Sequence, residues 1–379
     1  MRVLHIMPGF GGGISSHVRN IIRGIDSSKL VIDVVSFTDY PKDFVREVEM
    51  KGGKTYTLSN VRFKSILLNI NEYKNIIREN KYDAVHMHLT DIQAVYFSVL
   101  SSLLGVKRKI VHAHIADVQK NNGFLFFINH TISRYLTVVS ATDLASCSSM
   151  ASEFRFGRKY VDHNKIMHIP NSIIPEKYFF KLSNEEKNKY YDELNIKEGQ
   201  LVIGHVGFFG YQKNHPFIFK LAQYMKDKYD CVWIFIGTGY NFEKYVELAK
   251  SMGITEYTRF LGRRDDVNKL YKIMNVTILP SFFEGLPTVT IETQAAGTAT
   301  VISDTITEET DMGLNMIERI SLNSNLDIWA DAIIKSANKP LPNDMERLQA
   351  IKSKNFTCET SANLYLKFLY GQISHYELN

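Results

Sequence analysis

Glu284 and Glu292 stand eight positions apart around Gly285-Leu286-Pro287-Thr288, directly after the apolar run Val276 to Leu279. A carboxylate accepts paired hydrogen bonds from vicinal hydroxyls, and amides at a helix start point at hydroxyl or phosphate oxygens. Pro287 supplies no such amide hydrogen. Upstream, Gly207-Phe208-Phe209-Gly210-Tyr211-Gln212-Lys213-Asn214-His215-Pro216 joins a strand pattern to a helix that Pro216 suits in its first turn. Lys213 there offers a point charge to a diphosphate, which needs its negative charge stabilised as it departs. Taken singly, the two glutamates read more simply as surface charge and Lys213 as an ordinary exposed lysine.

Gly9-Phe10-Gly11-Gly12-Gly13 falls between the first strand pattern and its helix, where free amides and the helix dipole favour an anion. The dinucleotide fingerprint fails, because Ile14 occupies the third glycine position and no acid ends the next strand, so hydride transfer is disfavoured. A glycine turn needed only for close packing is the alternative. His86-Met87-His88 and His112-Ala113-His114 have the look of metal pairs. The members of each pair are expected to diverge to opposite sides of their strands, so no metal is assigned.

These residues need elements to hold them. Val3 to Met7 followed by Ile14, Val18, Ile21, Ile22 and Ile25 reads as strand then helix, and strand patterns recur at Leu30 to Phe37, Ala84 to Met87, Lys109 to His114 and Tyr135 to Val139. A second series comprises Leu201 to Val206, Val232 to Ile236, Val276 to Leu279 and Thr300 to Ile302. Repeated βα units imply parallel sheets covered on both faces, an α/β chain. Ile169-Pro170-Asn171-Ser172-Ile173 and the charged segment Asn184 to Gly199 separate the two series. The expected domains are 1–175 and 176–356, with a terminal helix from about 357 that could pack on either half, the first being one choice.

At 379 residues, 45% apolar and 22% charged, the chain is long enough for two cores and lacks the composition of disorder. Three scattered cysteines, Cys147, Cys231 and Cys358, form neither a zinc pattern nor a disulfide framework and suit a reducing compartment. No signal peptide or spanning helix is read, which predicts a cytoplasmic protein. The net charge of +5 conceals an asymmetry: residues 1 to 180 carry 23 Lys and Arg against 15 Asp and Glu, the remainder 22 against 25. A basic first half suits a phospholipid surface or a diphosphate-linked acceptor, or is a solvated face. The apolar cluster Gly123 to Ile128, near Lys120 and Arg134, reads either as a lipid contact or as a buried helix.

Glu284 to Glu292 within Leu279-Pro280-Ser281 and Glu284-Gly285-Leu286-Pro287, with Lys213-Asn214-His215, Ile169-Pro170-Asn171 and Phe260-Leu261-Gly262-Arg263 in the same order, resembles the retaining GT-B glycosyltransferases of family four. The likeness spans nearly the whole chain, is strongest from Ile169 to Thr300, and is nearest to bacterial enzymes of capsular and exopolysaccharide synthesis. It implies two Rossmann-like domains facing across a cleft that the site straddles. It also implies transfer of a hexose or N-acetylhexosamine, with retention, from a nucleotide sugar, UDP being the commonest nucleotide, to a glycan on a polyprenyl diphosphate at the inner membrane face. No metal, cofactor or nucleic acid is implied. Glu284 would meet hydroxyls of the transferred sugar, Glu292 the ribose and Lys213 the diphosphate, with Gly262 and Arg263 beside the base. Backbone at Gly285, Leu286, Pro287 and Thr288 would approach the sugar and distal phosphate, while Gly12 and Gly13 close over the donor. His114 resembles the family histidine near the sugar, with His112 the choice if the register differs by two.

Two departures stand out: Phe208 where the family commonly has arginine, and Ser15 where glutamate is frequent. They keep open a non-catalytic glycan-binding or chaperone-like partner. A sugar-nucleotide epimerase on a similar scaffold is the other alternative.

Overall fold

A computed structural model describes residues 1–59, 66–115, 124–162 and 165–376. The chain divides into two compact units, Met1–Ser172 with Asn355–Asn379, and Ile173–Lys354.

In the first unit seven parallel strands are ordered β3-β2-β1-β4-β5-β6-β7. They are β1 (Arg2–Met7), β2 (Val31–Ser36), β3 (Thr55–Thr57), β4 (Ala84–Met87), β5 (Arg108–Ala113), β6 (Asp143–Ser146) and β7 (Ile166–His168). The central strands are buried on both faces, which is why they read as continuous apolar runs. Val18, Ile21 and Ile22 of the helix Gly13–Gly24 pack on β1 together with Leu364, Tyr365 and Phe368 of the terminal helix Cys358–Leu369. At the crossing of these two helices a side chain on Gly24 would run into the Cys358 carbonyl and Ala362. Arg108 fastens the same helix, donating to the carbonyls of Leu369 (2.7 Å) and Phe368 (3.2 Å) while its other face pairs with Asp143 at 2.9 Å.

The second unit holds six parallel strands ordered β10-β9-β8-β11-β12-β13. These are β8 (Leu201–Val206), β9 (Cys231–Ile236), β10 (Thr258–Phe260), β11 (Val276–Leu279), β12 (Ala299–Ser303) and β13 (Ile317–Ile320). Trp233, Trp329, Phe219 and Phe235 fill its core. The charged segment after Asn184 is not a linker: Asn184–Glu193 is a helix without buried residues, capped by Ser183 and Glu186.

One strand expectation is overturned. Tyr135 to Val139 closes the helix Phe124–Ser140, and the strand is Asp143–Ser146. The β-branched run that suggested a strand is helical instead, with Tyr135 and Val139 exposed and only Thr137 buried, so β propensity there was overridden by its place in the helix. The Gly123 to Ile128 cluster and Lys120 lie outside the residues whose side chains are described. Among the described residues, no helix is long and apolar enough to cross a membrane.

Candidate active site

In each sheet the order reverses once, between β1 and β4 in the first and between β8 and β11 in the second. Ligands of open α/β sheets bind at the carboxyl ends of strands at such a reversal. In the second unit both loops there carry the residues singled out from sequence. Lys213 Nζ donates to Glu284 Oε1 at 2.6 Å, with side chains only 12% and 7% exposed. Gln212 Nε2 donates to Glu284 Oε2 (2.8 Å) and to the Phe283 carbonyl (2.9 Å), and the Phe282 amide donates back to the Gln212 carbonyl. Asn214 adds a bond from its side-chain amide to the Pro280 carbonyl and adopts a left-handed conformation, φ 54°, that turns the chain into the helix His215–Met225. The two loops are thereby knit into one platform, with Lys213 beside a helix start.

Glu284 and Glu292 bond to different partners. Glu292 lies in the helix Thr288–Ala296, which begins after Pro287, and accepts from the Tyr271 hydroxyl at 2.8 Å. Burial raises its carboxyl, with hydrogen bonds from Tyr271 and Tyr178 opposing. Leu286 is buried and Thr288 partly so. Gly262 turns the chain with φ 62° and its carbonyl accepts from the Gly237 amide, whereas the Arg263 side chain is 80% exposed, 4.0 Å from Asp265. Phe208 stands half exposed with its ring against Tyr240, and Tyr211 stacks on Phe282. An aromatic shelf therefore occupies the place where an arginine was looked for.

In the first unit part of the glycine loop is already bonded. Ser15 Oγ accepts from Gly11 N (3.0 Å) and Gly12 N (3.1 Å) and donates to the Gly12 carbonyl, so two of the loop's amides are engaged by its own side chain; Gly13 opens the helix that follows. The histidine expectation is also corrected. Residues two apart on a strand share a face, and the rings of His86 and His88 stack at 4.4 Å, those of His112 and His114 at 4.1 Å. His114, one residue past β5, bonds through Nε2 to His88 Nδ1 at 2.7 Å. With Ile14, His88, Thr90, His112 and Arg155 it lines a cavity of about 250 Å³. Burial drives the His112 and His114 imidazoles well below their ordinary value, reinforced by neighbouring histidines.

Residues 10–146 match the family model described as Glycosyl transferase 4-like, and residues 186–337 that described as Glycosyl transferases group 1. The chain is 30% identical over 339 residues to EpsF of Bacillus subtilis (strain 168), a glycosyltransferase by its given name, covering 89% of this chain and 88% of that one. The chain belongs to the group 1 glycosyltransferases. It is also 26% identical, over 70% of its length and 68% of the relative's, to the UDP-Gal:alpha-D-GlcNAc-diphosphoundecaprenol alpha-1,3-galactosyltransferase of Escherichia coli. The solved structure of Anabaena HepE in complex with UDP and glucose matches 98% of this chain and 100% of that chain, with a TM-score of 0.78 at 17% identity. The fold is GT-B.

In this glycosyltransferase, sequence reasoning reached Lys213, Glu284 and Glu292 but not the side chains that orient them. Gln212 carried a signal, since it sits inside the Lys213 motif. Tyr271 carried none, because its tie to Glu292 joins residues 21 positions apart on separate helices. Chemically, the platform offers a carboxylate held by two donors and a cation at a helix start, which suits hydroxyl binding beside a phosphate.

Proposed function

We propose that this glycosyltransferase moves a hexose or N-acetylhexosamine, with retention, from a UDP-sugar to a glycan carried on a polyprenyl diphosphate, in bacterial surface polysaccharide synthesis. The observation that carries the reading is the Lys213–Glu284–Gln212 constellation at the sheet reversal, one turn before the helix Thr288–Ala296. Glu284 takes the sugar hydroxyls. Lys213 swings from Glu284 to the diphosphate as donor binds, and amides at Gly285, Leu286 and Thr288 stabilise the leaving oxygen, which receives the acceptor's proton. Glu292, held by Tyr271, takes the ribose, Gly262 and Arg263 border the base, and His114 with the Gly12–Gly13 loop serves from the first unit. No metal is needed at the diphosphate, because the lysine and amides supply the charge.

Support for donor and acceptor class comes from relatives: the Escherichia coli enzyme's name specifies UDP-Gal and a diphosphoundecaprenol acceptor, and HepE was solved with UDP and glucose. We place the protein at the cytoplasmic face of the membrane, where its basic first half meets anionic lipid. Arg108 is tied to Asp143 and the terminal helix, so a charge-reversal test of vesicle binding belongs at Lys107 and Lys109. Unchanged binding of that variant would remove the electrostatic part.

The functional test is a panel of UDP- and GDP-sugars without added metal, with and without membrane lipid extract, read as nucleotide release. The product's anomeric configuration is then read by NMR. Acceptor-dependent release of one nucleotide with the anomer retained is the expected result, and an inverted anomer would refute retention. The exposed Phe208 favours a second reading, a glycan-binding partner without turnover; it predicts glycan binding with no release across the panel.

A further inference from the structure

Six of the chain's twelve histidines form one cluster beneath the cavity of the first unit. His5 bonds His88 through Nδ1 (2.9 Å) and Tyr365 through Nε2 (3.0 Å). His86 bonds the same Tyr365 hydroxyl through Nδ1 (2.8 Å) and His112 Nδ1 through Nε2 (3.1 Å). His88 completes the network between His5 and His114. Both ring nitrogens of His5, His86 and His88 are thus engaged, while His112 and His114 each commit one. His112 Nε2 and His17 Nδ1 are left buried with no hydrogen-bond partner. A buried polar atom without a partner is uncommon and costs free energy, and two in one cluster call for a ligand.

We infer that His17, His112 and His114 form a binding site for a zinc-class divalent transition metal. One ring nitrogen from each lies within 4.8 Å of the other two, and the His17 ring stands edge-on to both partners at 4.9 and 5.1 Å. Nitrogens about 2.0–2.1 Å from a tetrahedral zinc stand roughly 3.4 Å apart, so tilting the rings by about an ångström closes the site. The donors are all imidazole, which suits zinc, nickel or copper; calcium and magnesium require oxygen. His112 Nδ1 on His86 and His114 Nε2 on His88 are the outer-shell bonds that orient ligating rings.

A second histidine triplet, His5, His86 and His88, meets the same distance criterion, but its nitrogens are spent on one another, His112, His114 and Tyr365, so it supports the site rather than binding. Two of the three ligands, His112 and His114, also line the cavity. Metal binding here departs from the sequence reading, which assigned no metal to these histidines. The site lies in the other unit from Lys213 and Glu284 but shares His114 with the reading proposed above, so metal binding is measured apart from nucleotide release.

The full chain, stripped with chelator and dialysed, is titrated with Co²⁺ and read by visible absorption, then back-titrated with Zn²⁺. One Co²⁺ per chain with the intense bands of a tetrahedral site, displaced by equimolar Zn²⁺, is expected. His112→Gln and His17→Gln each weaken binding more than about 100-fold, and His88→Gln about 10–100-fold as an outer-shell change. His375→Gln, whose ring bonds the Ile166 carbonyl away from the cluster, leaves it unchanged. Circular dichroism verifies each fold. Absence of tetrahedral bands in the unsubstituted protein overturns the inference whether or not the variants fold, and so does binding that survives His112→Gln.

Discussion

Replacing Glu284 by Gln tests stability and chemistry together, because the carboxylate is the partner of a largely buried ammonium. The ion pair is 2.6 Å long with both side chains nearly covered. Breaking a buried pair from one side costs about 3–5 kcal/mol, since the surviving charge has lost both water and partner. Here the residual exposure and the Gln212 amide soften the loss. We expect about 3 kcal/mol for Glu284→Gln, which strands the lysine, and about 2 kcal/mol for Lys213→Met, which leaves Glu284 one donor. The double variant should cost about 2 kcal/mol less than the sum, the coupling that a direct pair produces. The assay is urea unfolding followed by tryptophan emission. Trp233 and Trp329 are the chain's two tryptophans and both are fully buried in the second unit's core, so emission reports the unit that holds the pair. Nucleotide release should fall more than about 100-fold in all three variants, the loss expected when a group stabilising developing charge is removed. A double variant no less stable than Glu284→Gln alone, with turnover still lost, would separate the pair's structural role from its chemical one. Additive single losses, or losses under about 1 kcal/mol, would refute the pairing argument.

Tyr365→Phe removes the hydroxyl shared by His5 and His86 at 3.0 and 2.8 Å. Two buried bonds are lost, and a drop of roughly 2–4 kcal/mol in thermal or urea unfolding monitored by circular dichroism is expected. Gly24→Ala places a methyl against the Cys358 carbonyl, which is backbone and cannot move aside. Overpacking of this kind costs about 1–3 kcal/mol, read as lowered Tm and faster proteolysis at the terminal helix. Burial pushes His205 down to about 4 and His215 down to about 2. Between pH 7 and 5.5 the unfolded chain therefore binds protons that the folded chain refuses, and each ring removes about 1 kcal/mol of stability. His215→Phe should lessen the acid-induced fall in tryptophan-monitored stability by about 1 kcal/mol over that interval, and an unchanged fall would show that the folded ring takes up its proton as readily as the unfolded one.

Much of the architecture was legible because central parallel strands are buried on both faces. β4, β8 and β11 could be delimited to the residue, and β1, β5, β9 and β12 to within one. Edge strands were not, since Thr55–Thr57, Thr258–Phe260 and Ile317–Ile320 are short and only partly buried and so carry little apolar signal. Asp143–Ser146 was hidden for another reason: small residues satisfy a crowded inner strand, while the β-branched run beside it belongs to a helix.

The sequence by itself determined two α/β units and the loops where chemistry would gather, because residue type and spacing record strand burial, helix starts and the glutamate motif locally. Only the tertiary structure decided what those groups do to one another. Ser15 bonds two amides of the glycine loop, Gln212 shares Glu284 with Lys213, Tyr271 holds Glu292, and helix Gly13–Gly24 brings His17 onto His112 and His114. Those partnerships depend on strand order and on which faces of neighbouring elements meet, and side chains brought together that way leave no regular spacing in the chain.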